Sequence, residues 1–318
     1  MDAAANSRAG LRHPRRHRRH RLRRHALPGT TRIMMRTGTL DRDGITIHYY
    51  DVGPRDAGLT VVYAHGFNIA AAEYKLQVEA IAGVRQILVD VRGHGKTGYA
   101  DPSLLTIDAA ADDIAAVLRH LGIDDPLITV GHSLGGPISL SLMRRHRFNW
   151  VGSVQISSTV DPFTARGLPR LLGGGFGRSL GWFVDRLPHA AEGIRRLVTD
   201  MIAPILARWF YFRPVPWSLI KFHARMIKAT PLATYRGFFD DLQTHSERGA
   251  AAVLATIPGY ILVGDRDNVA PVSQSAELAA IWPGAYFQIL PESGHMPPLD
   301  DPDAVTAAIE RVIALARG

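Results

Sequence analysis

The sequence has no cysteine, which excludes disulfides, thiolate metal sites and a cysteine nucleophile. It has no run of about 18 consecutive apolar residues, the length a membrane-spanning helix needs. With no cleavable signal peptide evident either, the expectation is a cytoplasmic chain. It lacks a G-x-G-x-x-G turn, a P-loop and any His/Asp/Glu grouping with metal-ligand spacing, so neither a cofactor nor a metal is expected. Acidic residues are scarce at the start: residues 1–33 hold ten arginines and a single acid, Asp2. The formal charge of +8 therefore belongs to this stretch, because the remainder carries 27 basic against 28 acidic residues, a net of −1.

A segment reading RHPRRHRRHRLRRH repels itself and cannot build a core. Three readings compete for it. It could be an arm for nucleic acid or an anionic surface. It could be a targeting segment, although the HALPGTTRIMM that follows is too short and polar for a twin-arginine signal. The reading favoured here is a passive disordered tail or non-native extension over 1–35, with translation starting at Met34 or Met35. No nucleic-acid partner is expected for the folded body.

What is present is ample material for one α/β domain with an insertion: 318 residues, 46% of them apolar. ITIHYYDVG (45–53) alternates as a strand does. LTVVYAHG (59–66), QILVDVRG (86–93), LITVGHS (127–133), VGSVQISST (151–159), GYILVGD (259–265) and AYFQIL (285–290) read as strands, several nearly continuous as if buried on both faces. Residues 107–122, 271–282 and 303–316 carry helical periodicity. Strands alternating with helices imply an α/β fold with a doubly wound, mostly parallel sheet. The alternation fails over 160–250, a stretch rich in aromatic residues and arginine and interrupted by Pro188, Pro204, Pro214, Pro216 and Pro231. That stretch is expected to be a helical cap inserted between core segments 36–159 and 251–318.

Gly131-His132-Ser133-Leu134-Gly135 has the pattern G-x-S-x-G between an apolar strand and a helix. Such a turn presents the serine hydroxyl above the sheet, side chains at 131 and 135 would clash in it, and the helix that follows favours developing negative charge. A serine needs a base, and the base an orienting acid. After Ser133 the chain supplies Asp265 and Asp267 behind the strand 259–265, and His295 behind the strand 285–290. Asp161, just past the strand 151–159, is a further candidate acid.

AHGF (64–67), DVRGHGKTG (90–98), GHSLGG (131–136), LVGDRDNVAP (262–271) and SGH (293–295) together resemble the α/β-hydrolase superfamily, most closely its esterase and cofactor-free haloperoxidase-like branch. The resemblance spans residues 60–300. It implies Ser133 as nucleophile, Asp267 as acid, His295 as base, and the backbone N–H groups of Phe67 and Leu134 as oxyanion hole. His65 is expected to order the oxyanion loop, His132 to be a packing residue turned away from the serine, and Asp90 and His94 to hold a structural turn.

The expected activity is hydrolysis of a small-molecule carboxylic ester through an acyl-enzyme, with a small-to-medium apolar or lipid-like acyl group. A serine in place of aspartate at 133 disfavours epoxide and haloalkane chemistry. Carbon–carbon hydrolysis and perhydrolysis stay open as enzyme alternatives, and a ligand-binding receptor or scaffold as the non-enzyme one. Eleven basic residues against three acids over 170–236, interleaved with aromatics, add an expected peripheral contact of the cap with lipid surfaces.

Overall fold

The computed structural model describes residues 35–99, 101–165, 186 and 188–318. The arginine-rich segment lies outside these residues. Met35, expected to end the tail, is already the first residue of a strand.

Eight strands occur among the described residues: β1 (Met35–Arg42), β2 (Ile45–Val52), β3 (Thr60–Ala64), β4 (Arg85–Val89), β5 (Leu127–His132), β6 (Trp150–Ile156), β7 (Gly259–Gly264) and β8 (Ala285–Leu290). They form one sheet in the order β1-β2-β4-β3-β5-β6-β7-β8. Only the β1–β2 and β2–β4 pairings are antiparallel. The β1–β2 hairpin turns through Asp43 and Gly44, both at positive φ, the Asp-Gly pair that a two-residue turn favours.

The helices used below are α1 (Lys75–Ala80), α2 (Ile107–His120), α3 (Gly135–Arg145), α4 (Pro188–Phe210), α5 (Trp217–Ala229), α6 (Leu232–Thr244), α7 (Val272–Ile281) and α8 (Pro302–Arg317). Both faces of the sheet are covered. Val62, Ala64, Ile87 and Val89 pack with α2 and α3 on one side. Val61, Tyr63, Leu88, Val130 and Val154 pack with α8 on the other. Alternate side chains of each central strand thus enter opposite cores, which is why these strands read as continuous apolar runs.

Several strands end earlier than their apolar runs suggest, at 64, 89, 132 and 156 rather than 66, 93, 133 and 159. The residues beyond are buried too, so hydrophobicity cannot mark where pairing stops. They form the loops at the strands' C-terminal ends, where open α/β sheets carry their sites.

Between β6 and β7 the chain carries α4, α5 and α6. Pro188 starts α4, where its missing N–H costs nothing, and Pro216 and Pro231 precede α5 and α6. The expected interruption at Pro204 does not occur. Proline removes one backbone hydrogen bond there, yet α4 runs on to Phe210, with buried Ala207 packed against Ile220 and Ile227 of α5.

A buried ion pair anchors the turn over 90–98. Arg92, 2% exposed, donates from Nε and Nη2 to Asp113 of α2 at 2.8 and 2.7 Å, and from Nη1 to the Leu104 carbonyl at 2.7 Å. Arg42 of β1 donates to the same carboxylate at 2.6 Å. Asp113→Ala leaves this buried guanidinium with only the exposed Asp43 carboxylate, 3.5 Å away, as counter-charge, and urea unfolding should show a loss of about 3 kcal/mol. A loss below about 1 kcal/mol would mean that the turn is held by packing alone.

Candidate active site

Ser133 closes the β5–α3 turn at φ 51°, in the left-handed region that a non-glycine residue rarely occupies. Its N–H donates to the Ile156 carbonyl at 2.9 Å, and its own carbonyl accepts from Gly136 N–H at 2.9 Å. The neighbouring glycines have identifiable reasons. A Cβ at Gly131 would press on the backbone of Gly135 and Gly136, and one at Gly135 would overlap the Ala64 carbonyl of β3. Only bare backbone lets β3, β5 and α3 meet here.

Oγ of Ser133 lies 2.9 Å from Nε2 of His295. Nδ1 of His295 lies 2.8 and 3.0 Å from the two carboxylate oxygens of Asp267. Asp267 accepts from His295, so Nδ1 carries the proton and Nε2 is left to accept the serine hydroxyl. Oδ1 of Asp267 also accepts the N–H groups of Val269 and Ala270 at 2.9 and 2.8 Å, fixing the carboxylate in its loop. The other two acids lie elsewhere: Asp265 sits 3.8 Å from Arg266, and Asp161 is held by Arg248 and Ser246. Ser133, Asp267 and His295 come from three loops far apart in the chain, and all are buried.

Leu134 N–H stands at the first turn of α3, and Phe67 N–H in the loop after β3. Among the described residues neither donates a hydrogen bond. Two histidines hold this region. His65 accepts Val91 N–H on Nε2 at 2.9 Å, so its Nδ1 carries the proton that goes to the Gly66 carbonyl at 2.8 Å. His132 is more than the packing residue expected from sequence. Its Nδ1 lies 2.8 Å from Oε2 of Glu73, and its Nε2 lies 2.8 Å from the His295 carbonyl. Burial opposes a charge on His132, but the Glu73 carboxylate outweighs it and raises the imidazole above its ordinary range. Glu73 was missed; its signal was a lone acid in the apolar stretch Ile69–Tyr74.

The turn over 90–98 is structural, as expected. Asp90 accepts Ala71 and Lys96 N–H, each at 3.0 Å. His94 lies edge-on to Phe67 at 5.4 Å, and burial lowers its pKa to about 3, so it is neutral.

The insertion reaches the site directly. The Phe210 carbonyl, at the end of α4, accepts His295 N–H at 2.8 Å, and the Phe210 ring lies 5.9 Å from the imidazole. Gly294 is bare because a Cβ there would strike that same carbonyl. His223 of α5 sits 5.3 Å from the Phe210 ring; burial lowers its pKa to about 3, and its Nδ1 has no partner among the described residues. A backbone carbonyl leaves no mark in sequence, so the Phe210 contact had no signal to find. Thr234 of α6 donates to the Gly93 carbonyl at 2.8 Å, tying the insertion to the body a second time.

The profile of the alpha/beta hydrolase family matches residues 61–308. A non-heme haloperoxidase of Rhodococcus erythropolis is 27% identical over 267 residues, covering 80% of this chain and 90% of its own. A bifunctional esterase/perhydrolase of Acinetobacter calcoaceticus is 31% identical over 137 residues, 41% of this chain and 49% of its own. A solved thermophilic esterase from Thermogutta terrifontis superposes with a TM-score of 0.70 at 24% identity, covering 90% of this chain and 99% of that one, a likeness of fold.

The three acids can be separated by how fast Ser133 reacts with a fluorophosphonate. Asp267→Asn should slow labelling by about 10⁴-fold, because an amide favours the wrong imidazole tautomer. Asp265→Asn and Asp161→Asn should stay within about tenfold of the parent. A large loss at Asp161 with a small one at Asp267 would transfer the orienting role to the end of β6.

Proposed function

The chain belongs to the alpha/beta hydrolase family, and on that premise we propose that it is a serine hydrolase cleaving carboxylic esters through an acyl-enzyme. The observation that carries this is the continuous hydrogen-bonded run from Asp267 through His295 to Ser133. Ser133 Oγ attacks the ester carbonyl carbon while His295 Nε2 takes its proton. The carbonyl oxygen becomes an oxyanion and is met by the N–H groups of Phe67 and Leu134, with the N-terminal end of α3 behind it. The intermediate collapses, and the alcohol leaves with the proton from His295. Water repeats the cycle on the acyl group and regenerates the serine. Asp267 keeps Nδ1 protonated and stabilises the imidazolium.

The name of the Acinetobacter relative supports esters as substrates and keeps perhydrolysis, in which peroxide replaces water in the second half, as the nearest alternative. Both reactions share the acyl-enzyme. Ser133→Ala should abolish fluorophosphonate labelling and lower p-nitrophenyl ester turnover by about 10⁴-fold or more. Turnover at the parent rate would rule this mechanism out.

A second reading concerns where a lipid-like ester is met. Ile194, Val198, Met201, Ile202, Ile205 and Trp209 are exposed and recur at the spacing of one face of α4. Arg208, Lys221, Arg225 and Lys228 are exposed as well. An apolar helix face with cations nearby suits an anionic lipid–water interface. The N-terminal arginines would also bind anionic vesicles, so the informative comparison is within the full chain. Ile194→Glu with Met201→Glu should weaken binding to vesicles containing phosphatidylserine at low salt and leave p-nitrophenyl acetate turnover unchanged. Binding unchanged by the double substitution would remove α4 from the contact.

A further inference from the structure

Glu73 and His132 take no part in the chemistry above, yet they touch every piece of it. Both are buried, at 0% and 1% exposure. Oε1 of Glu73 accepts Gly66 N–H at 3.0 Å, one residue before the Phe67 N–H assigned to the oxyanion. His132 immediately precedes Ser133, and its Nε2 faces the backbone carbonyl of His295. The loop after β3 lies against the pair, since a Cβ at Gly66 would come within 3.0 Å of His132 Nδ1 and 3.3 Å of Ser133 Cβ. One carboxylate and one imidazole thus join the oxyanion loop, the nucleophile turn and the base loop.

The hydrogen-bond roles determine the protonation of the ring. Both partners of His132 are acceptors, a carboxylate oxygen on Nδ1 and an amide carbonyl on Nε2. With Glu73 ionised, each ring nitrogen carries a proton and the ring is an imidazolium paired with that carboxylate. A neutral ring beside the carboxylate would leave one of these two buried contacts without a proton. Burial of a lone imidazolium is costly, and the contact with Glu73 is what offsets it.

We propose that Glu73 and His132 are positioning residues for hydrolysis, a charged pair that sets the base loop and the oxyanion loop at their working distance from Ser133. The inference rests on the reading of Ser133 and His295 as nucleophile and base. Neither member of the pair touches substrate. Its action is to hold His295 through its backbone carbonyl on one side while Asp267 holds its ring on the other. Among the described residues, the charged and titratable groups around His132 are Glu73 and Tyr74 just before α1, Asp267 and His295 from the loops after β7 and β8, and His223 from α5. The raised pKa of His132 means that the pair contributes its full stabilisation below histidine's ordinary value, near about 6.5. That contribution is lost as pH rises through the raised value of the folded protein.

The test reads turnover per active site, so that loss of folded protein does not count as loss of rate. Glu73→Gln keeps an acceptor for Gly66 N–H but removes the charge. With sites titrated by fluorophosphonate, kcat per site should fall by about 10- to 100-fold while KM stays within about threefold, as displacement of a catalytic group predicts. A kcat per titrated site within twofold of the parent would overturn the proposal, even if the melting temperature drops. Nitrogen-15 histidine spectra of the parent protein give a second measurement that needs no folded Glu73 variant. At about pH 7, just above the free histidine value of about 6.5, the signals lost in His132→Gln should report two protonated ring nitrogens. A single ring N–H at that pH would also overturn the proposal. Full turnover in Ser133→Ala would instead sink the hydrolase reading and leave the charge state of His132 intact.

Discussion

The site depends on one strained turn. Ser133 is held at a positive φ between a strand buried on both faces and the first turn of α3. That conformation is unfavourable by about 1–3 kcal/mol and persists only where the surroundings over-determine it. Here they do: bare backbone at Gly131 and Gly135 lets α3 come down onto β5 and the end of β3. The same close approach brings the Leu134 N–H and the loop bearing Phe67 to one side of the serine hydroxyl. A side chain at Gly135 would push β3 away and disturb the Ser133 turn and the loop bearing Phe67 together.

Five buried histidines around this turn show how environment divides one residue type into several roles. His65 is fixed as a single neutral tautomer by a donor on one side and an acceptor on the other. His94 and His223 are kept neutral by burial, with no counter-charge in contact among the described residues. His132 is pushed toward its charged form by the Glu73 carboxylate in contact with it. His295 alone has a carboxylate on one nitrogen and a hydroxyl on the other, which is the arrangement that moves a proton. Residue type cannot predict this division, and hydrogen-bond partners decide it.

The insertion is part of the site as well as a cover for it. By accepting His295 N–H, the Phe210 carbonyl makes the position of the base depend on where α4 ends. Thr234 and Asp241 of α6 tie the same insertion to the 90–98 turn and to the start of α2. Changes in the insertion that move the end of α4 therefore bear on the imidazole too.

The order and class of the buried strands and of three helices were legible in the chain because burial on two faces forces continuous apolar runs, and helix periodicity separates them. β1, exposed or half-exposed along its length, was not legible. The serine turn was legible because its glycines answer to backbone contacts that leave little latitude in sequence. Strand ends were not legible, since the residues past Ala64, Val89 and Ile156 are as buried as the strands. The continuity of α4 through Pro204 was hidden because tertiary packing on α5 outweighs the local cost of proline. Sequence by itself determined that a serine, acids and a histidine would follow strands in that order. Tertiary structure brought the acid implied by resemblance, Asp267, onto His295, and alone decided that Glu73 meets His132 and that a carbonyl of the insertion holds His295. Those three are contacts between groups distant in the chain, one of them a backbone atom common to every residue, and such contacts carry no local signature.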